Sequence, residues 1–235
     1  MSETSWRAVL RRSAIAGVVV SVLIVAIVEK GPDPPAVISA VLLLVAAILL
    51  RRDGRGSARY TTVVFVLFLL TNLAFRGPNL AVAESFWSFA VSWASVLAGL
   101  VGVIAGVATW RRRPPSAVAA SVGVTGLGLS VVAVVIGLFA SFGYTNAKPA
   151  AGDIAVRAKD STFDHTTLTA PSGRVGFFLD NADNALHDLH IVGVKGGTKT
   201  MPAHHKARFV VTLPAGAYKF MCDYHSDMKG TLTVR

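Results

Sequence analysis

The stretch YKFMCDYHSDMKGTLTV, residues 218–234, carries Cys222, with His225 three residues later and Met228 three residues beyond that. Cys222 is the only cysteine of the 235-residue chain. Aromatic and β-branched residues flank a short polar segment, which predicts two strands joined by a tight loop. A thiolate, an imidazole and a thioether are ligands that soft and borderline metal ions prefer. The stretch therefore predicts a metal site on a loop between two strands.

The composition divides the chain into two parts. Of all residues 53% are hydrophobic and only 15% are charged, whereas a typical soluble domain has about a quarter charged residues. Residues 1–147 hold long apolar runs and no histidine, and all six histidines follow from His165 onward. The sequence thus predicts a transmembrane helical region at 1–147 and a separate domain at 152–235. A single cysteine excludes an intramolecular disulfide.

The first part contains five apolar runs, the second and third of them short. A helix needs about 20 mainly apolar residues to cross a bilayer, and breaks rich in proline, glycine or arginine separate the runs. We expect spans at about 8–28, 34–50, 60–76, 81–110 and 116–142. Gly102 and Gly106 have the spacing of a small-xxx-small helix contact. Without histidine or cysteine this region lacks the ordinary haem ligands, so we expect an anchor or docking bundle.

The net charge of +10 is concentrated beside the apolar runs. Ten arginines form three groups: Arg7, Arg11 and Arg12; Arg51, Arg52, Arg55 and Arg59; Arg111, Arg112 and Arg113. Because cytoplasmic loops carry the excess of Lys and Arg, the groups predict a multi-pass membrane protein with a cytoplasmic N-terminus and an extracytoplasmic C-terminal domain. We therefore expect membrane lipid, and not nucleic acid, as a partner. A cleaved signal peptide is the alternative, but its apolar core usually ends after about 7–15 residues.

The second part has the texture of an all-β domain. Short β-rich runs alternate with turn-forming Gly, Pro, Asn and Asp clusters. These runs lie at residues 153–160, 174–181, 189–194, 207–213, 216–221 and 230–235, and residues 143–152 read as a linker before them. Seven or eight short strands in so small a domain predict a β-sandwich.

A further metal ligand must come from outside the loop. A blue-copper site needs two imidazoles and a thiolate in a trigonal plane, with a weak axial methionine. In NADNALHDLHI, residues 181–191, His187 and His190 point to opposite faces of an extended segment, so only one should reach the metal. His204 and His205 precede a predicted strand, where we expect a solvated loop, with a second metal contact as the alternative.

At these residues the second part resembles a cupredoxin of the plastocyanin/amicyanin type, over about residues 152–235. The resemblance rests on GAYKFMCDYHSDMKGTLTV (216–234), on NADNALHDLHI and on TFDHTTLTAPSGRVGFFLDN (162–181). It implies a Greek-key sandwich and one type 1 copper held by His187, Cys222, His225 and Met228. One departure is Asp188, because plastocyanins typically have asparagine after the first ligand histidine.

The resemblance and the apolar spans together predict a membrane-anchored blue copper protein. We expect it to carry single electrons through a Cu(I)/Cu(II) site on the extracytoplasmic face, with a respiratory-chain protein as redox partner. Copper capture or delivery is the alternative, to which Met201, His204 and His205 give some weight. We do not expect an enzyme, since a dinuclear copper centre needs two cysteines, and a multicopper oxidase or nitrite reductase needs more histidine clusters and a larger domain.

Overall fold

The structure, a computed structural model, describes residues 5–29, 33–52 and 54–235. Residues 1–4 of the predicted membrane region, residues 30–32 of the first break and residue 53 of the second break lie outside the described residues. The chain divides into two compact units. The first consists of the described residues of Met1–Ala83 with Phe89–Leu138, and the second of Glu84–Ser88 with Phe139–Arg235.

In the described part of the chain, five helices precede the strands, as the apolar runs predicted. They are α1 (Trp6–Leu23), continued by a π-helical turn (Ile24–Val28), α2 (Pro34–Leu49), α3 (Arg55–Arg76), continued by a 3-10 turn (Gly77–Ala81), α4 (Phe86–Trp110) and α5 (Ala117–Gly143). The Ser5 hydroxyl accepts the backbone N–H of Ala8 and caps α1. Prolines 34 and 35 open α2, where the missing N–H groups cost nothing.

Among the residues that the structure describes, four helical segments are long and apolar enough to cross a membrane: Trp6–Val28, Arg55–Ala81, Phe86–Trp110 and Ala117–Gly143. Helix α2 has 16 residues, which span about 24 Å at 1.5 Å per residue. It is shorter than the hydrocarbon core of about 30 Å, in line with its short apolar run.

Helices α3 and α4 approach closely where α4 has glycine. A Cβ added at Gly102 would lie 2.4 Å from ring carbons of Phe65, and one at Gly106 would lie 2.3 Å from the Thr62 hydroxyl. Only a residue without a side chain fits such a contact. The predicted small-xxx-small spacing therefore forms the α3–α4 interface.

The three arginine groups lie at one end of the first unit. Arg7 Nη1 donates to the backbone oxygen of Arg52 at 2.8 Å. The Arg59 guanidinium carbon lies 5.1 Å from the ring centroid of Trp110, directly before Arg111–Arg113 in the chain. These contacts join the first group to the second and the second to the third.

A buried ion cluster joins two other turns of the first unit. Arg76, at the end of α3, is buried, and its Nη1 lies 3.1 Å from Glu29 Oε1. Its Nη2 donates to a carboxylate oxygen of Asp33, directly before α2. Pairing with two carboxylates offsets the cost of burying the guanidinium charge.

The second unit contains nine strands. They are β1 (Ile154–Lys159), β2 (Thr162–Phe163), β3 (Thr167–Ala170), β4 (Gly173–Asn181), β5 (His187–Ile191), β6 (Thr198–Met201), β7 (Lys206–Leu213), β8 (Gly216–Met221) and β9 (Lys229–Val234). One sheet has the order β2-β1-β4-β7 and the other β3-β9-β8-β5-β6. Pairs β1/β4 and β3/β9 are parallel, and the other pairs are antiparallel. Alternate side chains of both sheets fill one core, so the predicted β-sandwich is confirmed.

The strand bounds differ from the prediction in two places. Strands β2, β3 and β6 are edge strands of 2, 4 and 4 residues that lie outside the six predicted runs. Strand β5 begins at His187 and ends at Ile191, whereas the run 189–194 was expected to be strand. Gly193 and Gly196 adopt positive φ angles and form the turn that ends it.

The expected linker contacts the start of β7. The backbone N–H of Ala147 donates to the Lys206 carbonyl at 3.0 Å, and the Asn146 side chain accepts the Lys206 N–H at 2.7 Å. The Tyr144 ring packs against His205, with 4.3 Å between centroids. His205 is therefore buried, contrary to the expected solvated loop, while His204 is exposed. Burial lowers the pKa of His205.

Candidate metal site

The loop Cys222–Met228 joins β8 to β9 and is closed by its own backbone. The Cys222 N–H donates to the Met228 carbonyl at 2.9 Å, and the Met228 N–H donates to the His225 carbonyl at 3.0 Å. The antiparallel pair Met221↔Lys229 fixes both ends of the loop. Three predicted ligands thus lie on one short, internally hydrogen-bonded turn.

The remaining predicted ligand, His187, reaches this loop from the start of β5. Cys222 Sγ lies 3.8 Å from His187 Nδ1 and 3.7 Å from His225 Nδ1. All three donor atoms lie within 4.8 Å of one another, and the two imidazole centroids are 4.5 Å apart. These three side chains could hold one metal ion.

The neighbouring histidine points away, as the alternation of a strand predicts. His190 Nδ1 lies 2.8 Å from Asp223 Oδ1, and its side chain is 31% exposed. His187 has no exposed surface. The two residues therefore occupy opposite faces of β5.

The thiol of Cys222 lies in the apolar core. It is 1% exposed, and burial raises its pKa to about 12 although the nearby N–H of Asp188 favours the thiolate. The Asp188 N–H donates to Sγ at 3.5 Å. At neutral pH the thiol keeps its proton unless a cation replaces it, and a metal ion does so when it binds.

Asp188, where plastocyanins have asparagine, joins β5 to the ligand loop. Its Oδ1 accepts the backbone N–H of Asp223 at 2.8 Å. The side chain is buried, and burial raises its pKa. Position 188 thus supplies a hydrogen-bond acceptor to the residue after Cys222, and the acceptor belongs to a carboxyl group.

His187 Nε2, which faces away from Cys222, has a charged partner that the sequence did not predict. His187 Nε2 lies 2.9 Å from Asp183 Oδ2. A carboxylate only accepts hydrogen bonds, so this contact favours the tautomer with the proton on Nε2 and the lone pair on Nδ1. Burial alone would raise the pKa of Asp183, but the hydrogen bonds from His187, Ser161 and Asp160 outweigh it and hold that pKa well below its usual value. An acid four residues before a histidine was the only signal in the sequence.

The donor set suits particular metals. Two neutral imidazole nitrogens and one sulfur, without carboxylate oxygens, fit copper or zinc and not magnesium or calcium. Met228 is 1% exposed and belongs to the same buried core cluster as Cys222. A thioether beside a His₂Cys set is the combination found in blue-copper centres.

Comparison with known proteins gives a family match for the part of the chain that contains this site. Residues 130–234 match the family described as a cupredoxin-like domain, a range that begins within α5. The second unit contains a cupredoxin-like domain. Comparison with curated proteins gives no match.

Solved structures similar to the cupredoxin-like domain include forms of amicyanin. A reduced amicyanin mutant is 24% identical, with 37% of this chain and 87% of that chain covered and a TM-score of 0.33. The Cu(I) form of another amicyanin mutant is 25% identical, with 39% of this chain and 90% of that chain covered and a TM-score of 0.34.

The cupredoxin-like domain does not bring every candidate to the site. Among the described residues, the one group of His, Cys, Asp and Glu side chains close enough to hold a metal contains neither His204 nor His205. His204 Nε2 lies 2.6 Å from Asn184 Oδ1. Met201 is fully buried in the core. The second metal contact proposed for His204 and His205 is therefore absent from this group.

Proposed function

We propose that the protein is a membrane-anchored copper protein that carries single electrons on the extracytoplasmic face. In this proposal His187, Cys222, His225 and Met228 hold one copper ion. The main support for this proposal is that the Nδ1 atoms of His187 and His225 and the Sγ of Cys222 lie within 4.8 Å of one another in a cupredoxin-like domain. Bound copper supplies a one-electron couple between Cu(I) and Cu(II), which imidazole and thiolate ligands support.

Rigid support of the donors favours electron transfer. His187 is fixed by its strand pairing with Met201 and by its bond to Asp183. The loop from Cys222 to Met228 is fixed by its backbone hydrogen bonds. Because the protein sets the donor positions, a change of metal charge requires little rearrangement of the side chains.

Burial of the donors favours a carrier over a catalyst. His187 and Cys222 are 0% and 1% exposed, so neither side chain is directly accessible to a substrate from solvent. His225 is half-buried and is the most accessible of the three donors. A redox partner, which we propose to be a respiratory-chain protein, therefore comes closest to the site at the edge of His225.

The helices supply the proposed anchor. Four segments are long and apolar enough to cross a bilayer, so membrane lipid is the expected partner of the first unit. The arginine groups that lie together at one end support a cytoplasmic location for that end. In this proposal the shorter helix α2 (Pro34–Leu49) also crosses, as its apolar run predicts, so that five crossings place the N-terminus in the cytoplasm and the chain after α5 outside it.

Copper capture or delivery fits the structure less well. Delivery requires accessible thioether or imidazole groups to which Cu(I) transfers. Of the three residues that suggested this role, Met201 and His205 are buried, and the exposed His204 lies 2.6 Å from Asn184 Oδ1 and outside the metal-binding group. The electron carrier is therefore the better supported function.

Visible absorption of the full-length protein titrated with Cu(II) in detergent tests the proposal. A thiolate bound to Cu(II) gives an intense visible charge-transfer band, which the Cys222→Ser variant cannot give. The matched control His165→Ala changes an exposed histidine and should keep the band. Absence of the band in the wild-type protein would contradict the proposal, and so would a site that binds zinc but no copper.

A further inference from the structure

A buried carboxylate lies behind the candidate metal site, in the turn between β4 and β5. Asp183 is 5% exposed, and both of its oxygens accept hydrogen bonds. Its Oδ2 accepts from His187 Nε2 at 2.9 Å and from the Ser161 N–H at 3.0 Å, and its Oδ1 accepts from the Asp160 N–H at 2.8 Å. None of these contacts involves the loop that carries the other donors.

The two backbone donors belong to a strained turn. Asp160 and Ser161 join β1 to β2 and adopt left-handed φ angles of 53° and 54°. Residues other than glycine rarely adopt this backbone conformation. Here it directs two successive N–H groups at one carboxylate, in the manner of a backbone anion nest.

Hydrogen bonds within the turn between β4 and β5 also fix the position of Asp183. Its N–H donates to Asn181 Oδ1 at 2.9 Å. Asn181 Nδ2 in turn donates to the carbonyls of Ala185 and Met201, at 2.9 and 2.8 Å. The carboxylate is thus locked between the β1–β2 turn and the strand that begins with His187.

We propose that Asp183 is the positioning residue of the metal site. It fixes the ring orientation of His187, keeps the proton on Nε2 and leaves the Nδ1 lone pair directed at Cys222. Its negative charge increases electron donation by that imidazole, as an outer carboxylate does for a metal-bound histidine. It therefore favours the oxidised over the reduced metal and lowers the reduction potential. The effect on the reduction potential rests on the proposed function, whereas the effect on the tautomer of His187 does not.

The first test needs no metal. Full-length protein with ¹⁵N-labelled histidine in detergent reports the tautomer of each histidine by NMR, and the His187→Gln variant assigns the signal. We expect the wild type to show His187 protonated at Nε2. Asp183→Ala should populate both tautomers, because the acceptor is lost. The proposal is overturned if wild-type His187 carries its proton on Nδ1, or if Asp183→Ala leaves the tautomer unchanged.

The second test uses Asp183→Asn, which keeps an acceptor oxygen but removes the charge. We expect its Cu(II) affinity to fall at least about tenfold, the usual effect of losing such a partner. Its Cu(I) affinity should fall less, so its reduction potential should rise. Asp164→Asn is the matched control, because Asp164 also accepts a backbone N–H, from Arg157 at 2.9 Å, but does not contact His187. Its potential should equal that of the wild type.

The outcomes separate the two claims. The proposed role of the Asp183 charge is wrong if the Asp183→Asn variant folds, binds copper and has the same reduction potential as the wild type. The same holds if its ratio of Cu(II) to Cu(I) affinity is unchanged. A wild-type protein that binds no copper overturns the proposed function, yet the metal-free tautomer still decides the role of Asp183. If Asp183→Ala does not fold, the wild-type tautomer and the Asp183→Asn potential decide the proposal without it.

Discussion

Cys222 Sγ lies 3.8 Å from His187 Nδ1, although 35 residues separate the two in the chain. The pairing of β5 with β8 places His190 opposite Met221, directly before Cys222. The bond from the Asp188 N–H to Sγ adds a second link between the two segments. The site therefore depends on the register between β5 and β8. A slip of one residue would turn the His187 side chain to the opposite face of the sheet, away from Cys222.

Substitution of the donors tests this register. Cys222→Ser and His187→Ala should each abolish the intense visible band of the Cu(II) protein, since each removes a donor from the cluster. His190→Ala should keep most of the band, because His190 lies on the other face and contacts Asp223. Loss of the band in His190→Ala together with its survival in His187→Ala would contradict the assigned register.

Local patterns were sufficient to predict much of the architecture and of the site. Apolar runs identified the five helices, because the length and composition of an apolar run are local properties of the sequence. Strand alternation indicated that only one of His187 and His190 reaches the metal, and the cupredoxin resemblance implied His187. The structure places His187 and not His190 beside Cys222 and His225. The spacing of Gly102 and Gly106 indicated a helix contact before its partner was known.

Other features depend on contacts between distant segments and left no local pattern. Strand β6 pairs with β5 through backbone bonds, but two of its four residues are exposed, so it lacks an apolar signature. His205 is buried because Tyr144 lies against it. Asp183 gained its role only when the β1–β2 turn and His187 came together around it.

An ion pair beside β4 should make the stability of the β-domain depend on acid pH. Asp153 accepts two hydrogen bonds from Arg208, at 2.7 and 2.8 Å, and these bonds lower its pKa. The carboxyl group of the unfolded chain has a pKa of about 3.9. The stabilisation by the ion pair is therefore complete above that pH and is lost as the pH falls through the lower pKa of the folded state. Chemical unfolding as a function of pH measures this.

The variant Asp153→Asn should weaken that part of the acid dependence, and Arg208→Ala should act in the same direction. Gly176→Ala is a third probe, since its Cβ would meet Asp153 Oδ1 at 2.0 Å and displace the carboxylate. Identical acid dependence in Asp153→Asn and the wild type would show that the pair contributes nothing.

The α3–α4 contact should tolerate no added side chain. Gly102→Ala places a Cβ 2.4 Å from the Phe65 ring, and overpacking of this kind typically costs about 1–3 kcal/mol. We expect a lower thermal midpoint for the helical signal of the full-length protein in detergent. Gly128→Ala is the matched control, because nothing lies within 4 Å of the added Cβ. Equal midpoints for the two variants would contradict the close approach.

The proposed orientation predicts the activity of fused reporters. A reporter that requires an extracytoplasmic location should be active after Gly143 and inactive within residues 51–59. A reporter that requires the cytoplasm should show the reverse. The arginine groups at one end of the first unit are the physical reason, since such loops stay on the cytoplasmic side. The opposite pattern, or cleavage of the chain near residue 30, would exclude this topology.

A protein that carries single electrons on copper must keep the copper bound in both oxidation states. The buried donors His187 and Cys222 and the hydrogen-bonded loop around His225 favour retention, because release requires the loop to open. The decisive measurement is the copper content of the full-length protein through repeated reduction and reoxidation, with a Cu(I) chelator of moderate affinity present. We predict reversible cycling and constant copper content. Rapid loss of copper on reduction would contradict the electron carrier and favour copper delivery.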